Sequence, residues 1–368
     1  MRKLARPVVW LLLIAGAVLT ALSGCRSDDN GGPPASIGWA VWAPTGSRIA
    51  VSTRSATGTD CQVWLVDTKG AGRPELLDYP MDDLCGTPAW RPDGAMVAIA
   101  GRRGDRNGLR VIAVGDVPAR TLWTTRLHGG GWPEWSPDGR RVVWDDGAMG
   151  DGGAPCLSFL DAANRDVRRL QLVQATSTMF PHWSPDGSRI AFLSSPGSTG
   201  NASGLYVIGS DGTGERRVAA RTDDMAHPAW RSAHEIVYPR ILRGPNGPGL
   251  EVWQLNVDSG KTARLFTTRS LPGRVSALQF RWSHDASQLL VVSSQREGDL
   301  GDTYLVDTKR GQVRRLTDDG LSSSPTWSSD GTQIAFVRDA TSLWVMNADG
   351  TRQRKLLDVG ALAASAPK

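Results

Sequence analysis

The 368-residue sequence has few of the side chains from which metal and catalytic centres are built. It contains four cysteines and five histidines. No Cys-x-x-Cys pair occurs, and no Cys/His cluster has the spacing of a metal site. We therefore expect no catalytic residues, no metal ligands and no cofactor.

The sequence also lacks a surplus of basic side chains once its N-terminus is set aside. The formal net charge is +5, but Arg2, Lys3 and Arg6 lie in what resembles a signal segment. Without them, the sequence has 39 basic and 37 acidic side chains. No basic block remains that could neutralise phosphates, so no nucleic-acid partner is expected.

The first 24 residues have the order of a secretion signal. A basic start is followed by an apolar run from Pro7 to Leu22 and then by small residues. The run is shorter than the roughly 20 apolar residues that a spanning helix needs. Leu22-Ser23-Gly24-Cys25 resembles the lipobox of bacterial lipoproteins, which implies cleavage before Cys25 and lipid attachment to its sulfur. An ordinary secretory peptide is the alternative.

The chain divides into four predicted parts. Residues 1–24 form a lipoprotein signal peptide, and residues 25–36 contain the lipidated cysteine and a flexible Gly/Pro-rich tether. Residues 37–360 form the folded part, and residues 361–368 a disordered tail. This organisation predicts an extracytoplasmic protein with a lipid anchor in the cell membrane or the outer membrane, and its sequence leaves that choice open.

A repeat dominates the folded part. Each copy consists of a tryptophan, a polar turn and an apolar strand, as in WSPDGSRIAF from Trp183. Proline and glycine in this turn supply the two backbone conformations that a tight reversal needs. The repeat tryptophans are Trp42, Trp90, Trp135, Trp183, Trp230, Trp282 and Trp327.

The period predicts a β-propeller. Successive tryptophans are 48, 45, 48, 47, 52 and 45 residues apart, which fits four-stranded blades. Seven copies predict an all-β, seven-bladed propeller with the tryptophans in its core, and six blades are the alternative. Units five and six lack the Pro-Asp-Gly turn, so their blades are expected to be distorted.

The repeats resemble the Trp-Ser-Pro-Asp-Gly units of TolB-type propellers over residues 37–360. This resemblance implies the fold rather than the function, because the same units occur in periplasmic scaffolds, peptidase propeller domains and sugar-degrading enzymes. TolB usually has six blades and an additional N-terminal domain. In this sequence, by contrast, the tether leads directly into the first repeat.

One face of the propeller carries the candidate binding site. Long loops between the second and third strands lie on this face, where the inner strands begin around the channel. The position three residues before each repeat tryptophan should therefore lie near the channel mouth. These candidate binding residues are Trp39, Thr87, Trp132, Phe180, His227, Gln279 and Ser324. Aromatic side chains there could hold a sugar ring or an inserted peptide, or could simply pack between blades.

The cysteines of the first two units lie on the same face. Cys61 begins a third strand and Cys85 precedes the next inner strand, so a Cys61–Cys85 disulfide is predicted. Cys156 would then be the odd thiol.

The pattern favours a binding scaffold for an envelope protein or a glycan over an enzyme. A propeller-fused peptidase is not expected, because no hydrolase domain follows Gly360. The alternative is a polysaccharide lyase of the oligogalacturonate type, in which channel histidines act with a divalent metal. His128, His182 and His227 could approach the channel, with Asp223 and Asp224 nearby, whereas His234 and His284 fall in turns on the opposite face.

Overall fold

The computed structural model describes residues 33–58, 60–69, 72–103, 106–115, 132–145, 156–175, 177–194, 204–220, 227–242, 249–268, 271, 274–275, 279–294 and 300–365. The predicted signal peptide, Cys25 and residues 25–32 of the tether lie outside these residues. So do His128, Asp223, Asp224 and most of the long loops between second and third strands.

The strands form seven antiparallel blades in a ring, so the predicted seven-bladed propeller is confirmed and the six-bladed alternative is wrong. The first three blades contain β1 (Pro34–Trp42), β2 (Arg48–Ser55), β3 (Asp60–Asp67), β4 (Glu75–Cys85); β5 (Ala89–Trp90), β6 (Met96–Arg103), β7 (Arg106–Ala113); and β8 (Glu134–Trp135), β9 (Arg141–Asp145), β10 (Cys156–Asp161), β11 (Val167–Gln171). Strand β4 continues from the first blade into the second, where Asp82 pairs with Arg102 of β6.

The fourth and fifth blades contain β12 (Met179–Trp183), β13 (Arg189–Ser194), β14 (Gly204–Gly209), β15 (Arg216–Ala220); and β16 (Ala229–Trp230), β17 (Glu235–Leu242), β18 (Gly249–Asn256), β19 (Thr262–Thr268). The last two contain β20 (Arg274–Val275), β21 (Arg281–Trp282), β22 (Gln288–Ser294), β23 (Asp302–Asp307), β24 (Gln312–Arg315); and β25 (Ser322–Trp327), β26 (Gln333–Arg338), β27 (Ser342–Asn347), β28 (Arg354–Asp358). One helix, α1 (Val359–Ser365), follows.

The Ser-Pro-Asp-Gly turn is held by a repeated set of hydrogen bonds. In the fourth blade the hydroxyl of Ser184 donates to Oδ1 of Asp186 at 2.6 Å and accepts from the backbone N–H of Arg189 at 2.9 Å. Gly187 takes the left-handed conformation, with φ of 70°. The same bonds recur in the third and seventh blades. The turn residues thus connect the inner strand to the second strand in each of these blades.

Units five and six form blades despite their divergent turns. In unit six, Ser283 still donates to Asp285, and Ala286 adopts the positive φ of 49° that glycine takes elsewhere. Unit five closes differently, because Ser232 Oγ accepts from the N–H groups of His234 and Glu235. Each unit contributes one complete blade.

The repeat tryptophans link neighbouring blades. Five of the seven donate an indole N–H to a backbone carbonyl of the inner strand region of the preceding blade. The pairs are Trp90 to Val41, Trp135 to Ala89, Trp230 to His182, Trp282 to His227 and Trp327 to Arg281, at 3.0–3.2 Å. The indole bodies are largely buried in the cores between blades.

The ring closes through contacts between the first and last blades. The N–H of Ile37 donates to the carbonyl of Ala340 at 2.6 Å, and that of Trp42 donates to Thr326 Oγ1 at 3.4 Å. Helix α1 also packs against β1, and its Leu362 is fully buried beside Ile37. Residues 361–365 are therefore helical, which corrects the expectation of a disordered tail from residue 361. Of the apolar residues in Ala-Leu-Ala-Ala, Leu362 is the one buried against the first blade.

Candidate functional site at the channel mouth

The residues of the predicted ring lie on the inner strands or just before them, and their location at the channel mouth stays a prediction. Trp39, Phe180 and Ser324 lie within β1, β12 and β25, and the other four directly precede an inner strand. Backbone anchors hold the positions of the two tryptophans. The N–H of Trp39 donates to Ser52 Oγ, and that of Trp132 donates to Asp145 Oδ1, both at 3.1 Å.

Three of the predicted residues form one aromatic cluster across the third to fifth blades. The ring centroids of Trp132 and Phe180 are 4.5 Å apart in an edge contact. Those of Phe180 and His227 are 3.7 Å apart. Phe180 is buried, whereas Trp132 and His227 are partly exposed. The three rings therefore form one continuous aromatic contact across three neighbouring blades.

The remaining predicted residues are arranged differently. Gln279 Oε1 accepts from the N–H of Ser324 at 2.9 Å, and Ser324 Oγ donates to the carbonyl of Gly38 at 2.8 Å. These polar groups join the sixth, seventh and first blades. The hydroxyl of Thr87 is buried and has no hydrogen-bond partner among the described residues.

Two of these positions have unusual backbone. Phe180 and Ser324 have positive φ angles, 53° and 48°. The pairing register shifts at the same places, between Met179 and His182 in β12 and between Ser323 and Thr326 in β25. A bulge of this kind redirects a side chain, and a positive φ is unfavourable for a bulky residue. The inner strands thus carry local backbone strain at the channel mouth.

A second set of side chains lies one residue before three of the repeat tryptophans. These residues were not predicted as a set. It consists of Glu134, His182 and Arg281 on β8, β12 and β21. Nδ1 of His182 lies 2.8 Å from Oε1 of Glu134, and Oε2 of Glu134 accepts from the N–H of Trp183 at 3.3 Å. The sequence contained a clue to this set, because charged residues at the same position of several inner strands are unusual.

Arg281 provides a cation in the same channel. Its guanidinium carbon lies 5.5 Å from the centre of the Trp39 ring, and Nη1 donates to the carbonyl of Phe280 at 2.9 Å. Burial lowers the pKa of Arg281 to about 10. The side chain still carries its positive charge at neutral pH.

The pKa values of the two histidines are shifted in opposite directions. Burial lowers the pKa of His182 and Arg281 acts in the same direction, but the charge and hydrogen bond of Glu134 outweigh both and raise it. The pKa of His227 is held well below its usual value by burial and by the positive charges of Arg281 and His182. His227 is therefore neutral, and its buried Nε2 has no hydrogen-bond partner among the described residues.

The described residues contain no group of three or more His, Cys, Asp or Glu side chains that could hold a metal ion. His182 and His227 come near each other in the channel, whereas His128, Asp223 and Asp224 lie outside the described residues. His234 is paired with Asp258 in the turn region at the opposite face. The absence of catalytic residues, metal ligands and cofactors stays a prediction.

Cys61 is buried and disulfide-bonded. The side chain of Cys85 lies outside the described ones, so the Cys61–Cys85 pairing stays a prediction. Cys156 carries a buried thiol whose sulfur accepts a hydrogen bond from Arg169 Nη2 at 3.2 Å. In the part of the chain that the structure describes, no helix is long and apolar enough to cross a membrane.

Comparisons with solved structures show the propeller fold. An oligogalacturonate lyase in complex with manganese is 17% identical, with a TM-score of 0.63 over 83% of this chain and 86% of that chain. TolB from Acinetobacter baumannii is 20% identical, with a TM-score of 0.49 over 83% of this chain and 62% of that one. At 17% identity the likeness to the lyase concerns the fold alone.

Sequence comparisons found a curated relative and a matching family model. The uncharacterized peptidase YuxL of Bacillus subtilis (strain 168) is 28% identical over 105 residues, which are 26% of this chain and 16% of that protein. This chain thus matches a small part of the relative's length. The sequence model of the dipeptidyl peptidase IV (DPP IV) N-terminal region matches residues 176–361, just over half of the chain. The chain belongs to the family of the dipeptidyl peptidase IV N-terminal region.

Proposed function

We propose that this protein is an extracytoplasmic binding scaffold that holds an envelope partner at the mouth of its central channel. The observation that carries the proposal is the channel cluster: an aromatic wall of Trp132, Phe180 and His227 beside the cation of Arg281. Concave sites that combine apolar area with a few convergent polar groups are typical of ligand binding.

Strain and burial at the cluster support a binding role. Phe180 has a positive φ, and the buried Nε2 of His227 has no hydrogen-bond partner within the part of the chain that the structure describes. Both features cost stability, and such costs concentrate at sites that bind.

Lipid attachment at Cys25 completes the proposal. Cys25 would tether the propeller to the outer side of the cell membrane or to the outer membrane, which gives it access to envelope proteins. Metabolic labelling with a radioactive or clickable fatty acid tests this part. Label in the full chain and none in the Cys25→Ser variant is the expected result, whereas unlabelled wild-type protein would contradict the anchor.

Affinity capture from envelope extract tests the scaffold. The full chain is compared with Trp132→Ala, which removes part of the aromatic wall, and with Lys261→Ala, an exposed residue at the opposite face. We expect a partner that the wild type and Lys261→Ala retain and that Trp132→Ala loses, with cross-links to the partner mapping to the channel mouth. Equal retention by all three would place binding elsewhere.

The same preparation tests the lyase alternative. Acidic polysaccharides are incubated with the full chain, with and without manganese and a chelator, and unsaturated products are followed by absorbance. Metal-dependent product formation that His182→Ala abolishes would replace the scaffold by an enzyme. Binding without cleavage supports the scaffold.

A further inference from the structure

Arg281 lies in the channel without a neutralising carboxylate among the described residues. Glu134 is engaged by His182 and by the N–H of Trp183. Burial lowers the pKa of Arg281, and no carboxylate of the described residues forms an ion pair with its guanidinium. A desolvated charge is costly unless it is paired. The arrangement is therefore suited to a ligand that brings a negative charge.

Most N–H donors of the Arg281 guanidinium have no acceptor among the described residues. A guanidinium has five N–H donors, and Nη1 donates to the carbonyl of Phe280. The aromatic face of Trp39 lies against one side of the guanidinium. Such support fixes the planar fork, and a fixed fork favours two parallel hydrogen bonds to a carboxylate.

His227 adds a second polar group that points to a ligand. Its Nε2 is buried and has no partner among the described residues. The neutral ring can carry its proton on Nε2 and donate a hydrogen bond. Arg281 and His227 lie close enough to affect each other electrostatically. One anion between them would satisfy both groups.

The rest of the mouth favours an apolar neighbour for that anion. Among the described residues, Gln279 Oε1, Ser324 Oγ and Glu134 already have partners within the protein, which leaves the hydroxyl of Thr87 and few other groups for sugar hydroxyls. Trp132 and Phe180 offer aromatic surface instead. An extended chain with a terminal carboxylate next to an apolar side chain meets these conditions better than a sugar acid, which carries hydroxyls around its ring.

We propose that the channel mouth binds the C-terminal carboxylate of a polypeptide whose last side chain is apolar, with Arg281 and His227 as its ligands. This inference rests on the proposed function and narrows it from an envelope partner to a protein partner with a free C-terminus.

Calorimetric titration of the full chain at neutral pH tests the inference with two probes, N-acetyl-Gly-Gly-Phe and its C-terminal amide. The free acid is expected to bind at least tenfold more tightly than the amide. Arg281→Gln should remove this difference, and Arg281→Lys should restore part of it. Lys261→Gln is the matched control and should bind as the wild type does.

If Arg281→Gln binds neither the acid nor the amide, two further measurements test the inference. His227→Phe removes the second donor to the carboxylate and should weaken binding of the acid several-fold. Arg281→Gln should also keep or raise the melting temperature, since it removes an unpaired charge. A lowered melting temperature of Arg281→Gln together with unchanged binding by His227→Phe would make Arg281 a structural residue and overturn the inference.

Equal binding of acid and amide, or no binding of either at millimolar concentration, also overturns it. Tighter binding of galacturonate than of the peptide acid would assign the site to sugar acids instead. The proposed function fails separately, when Trp132→Ala retains the envelope partner. A partner lost by Trp132→Ala with equal binding of acid and amide would leave the scaffold standing without the carboxylate site.

Discussion

Glu134 and His182 occupy the same position in adjacent blades, and their side chains meet 2.8 Å apart across the channel wall. Each residue directly precedes a repeat tryptophan, so the repeat itself brings them together. The side chain of His182 is 41% exposed to solvent. Surrounding protein atoms nevertheless desolvate it enough to affect its pKa. Both facts fit a side chain that lines a water-accessible channel.

Glu134→Gln is expected to lower the pKa of His182, because the carboxylate supplies both the charge and the hydrogen bond that raise it. NMR titration of the histidine ring protons measures this, with His182→Gln to assign the signal and Lys261→Gln as the control. A raised folded-state pKa stabilises the fold below the unfolded pKa, and that contribution is lost as pH rises through the folded value. The variant should therefore lose more stability at pH 5 than at pH 8. An unchanged pKa would contradict the pairing.

Trp230→Phe is expected to destabilise the fold more than Trp183→Phe. The two tryptophans hold the same repeat position, but the indole of Trp230 donates to the carbonyl of His182, whereas that of Trp183 has no partner among the described residues. Leaving a buried carbonyl unsatisfied costs about 1–3 kcal/mol. Urea unfolding at neutral pH measures the difference. Equal losses would show that indole packing, rather than its hydrogen bond, links the blades.

The repeat made the fold predictable, because a fixed interval between tryptophans reports a structural unit without reference to tertiary contacts. The turns of units five and six could not be predicted in this way. The sequence of unit six lacks proline and glycine, yet Ser283, Asp285 and a positive φ at Ala286 rebuild the turn. Tertiary packing of the blade supplies what local propensity does not. Helix α1 was missed for a related reason, since the partner of Leu362 is the first blade, some 300 residues away along the chain.

The site was predicted only in part. Trp132, Phe180 and His227 contact one another because the strand phase places them at equivalent positions of neighbouring blades, and their role in binding stays a prediction. Arg281 was not predicted, since its importance depends on which side chains lie opposite it. Sequence spacing identifies positions on a ring but does not reveal whether a charge there has a counter-charge.

Ser184→Ala is expected to destabilise the fold by about 1–3 kcal/mol at neutral pH, because the N–H of Arg189 loses its buried acceptor. The hydroxyl of Ser184 is also the main cause of the lowered pKa of Asp186. A depressed folded-state pKa gives stability above the unfolded pKa that is lost as pH falls. The difference between variant and wild type should therefore shrink at pH 3. Ser188→Ala, an exposed residue that also donates to Asp186, should cost less. Thermal unfolding across this pH range checks both expectations.

Leu362→Ala tests whether helix α1 closes the ring. The side chain of Leu362 is fully buried among residues of the first and last blades, including Ile37 and Leu357. Removing a buried leucine side chain costs about 2–5 kcal/mol, so urea unfolding should show a large loss. Ala364→Ser changes an exposed position of the same helix and is expected to have little effect. If Leu362→Ala unfolds at the same urea concentration as the wild type, the helix adds nothing to the closure of the ring. The first and last blades would then be held together by the hydrogen bonds of Ile37 to Ala340 and of Trp42 to Thr326.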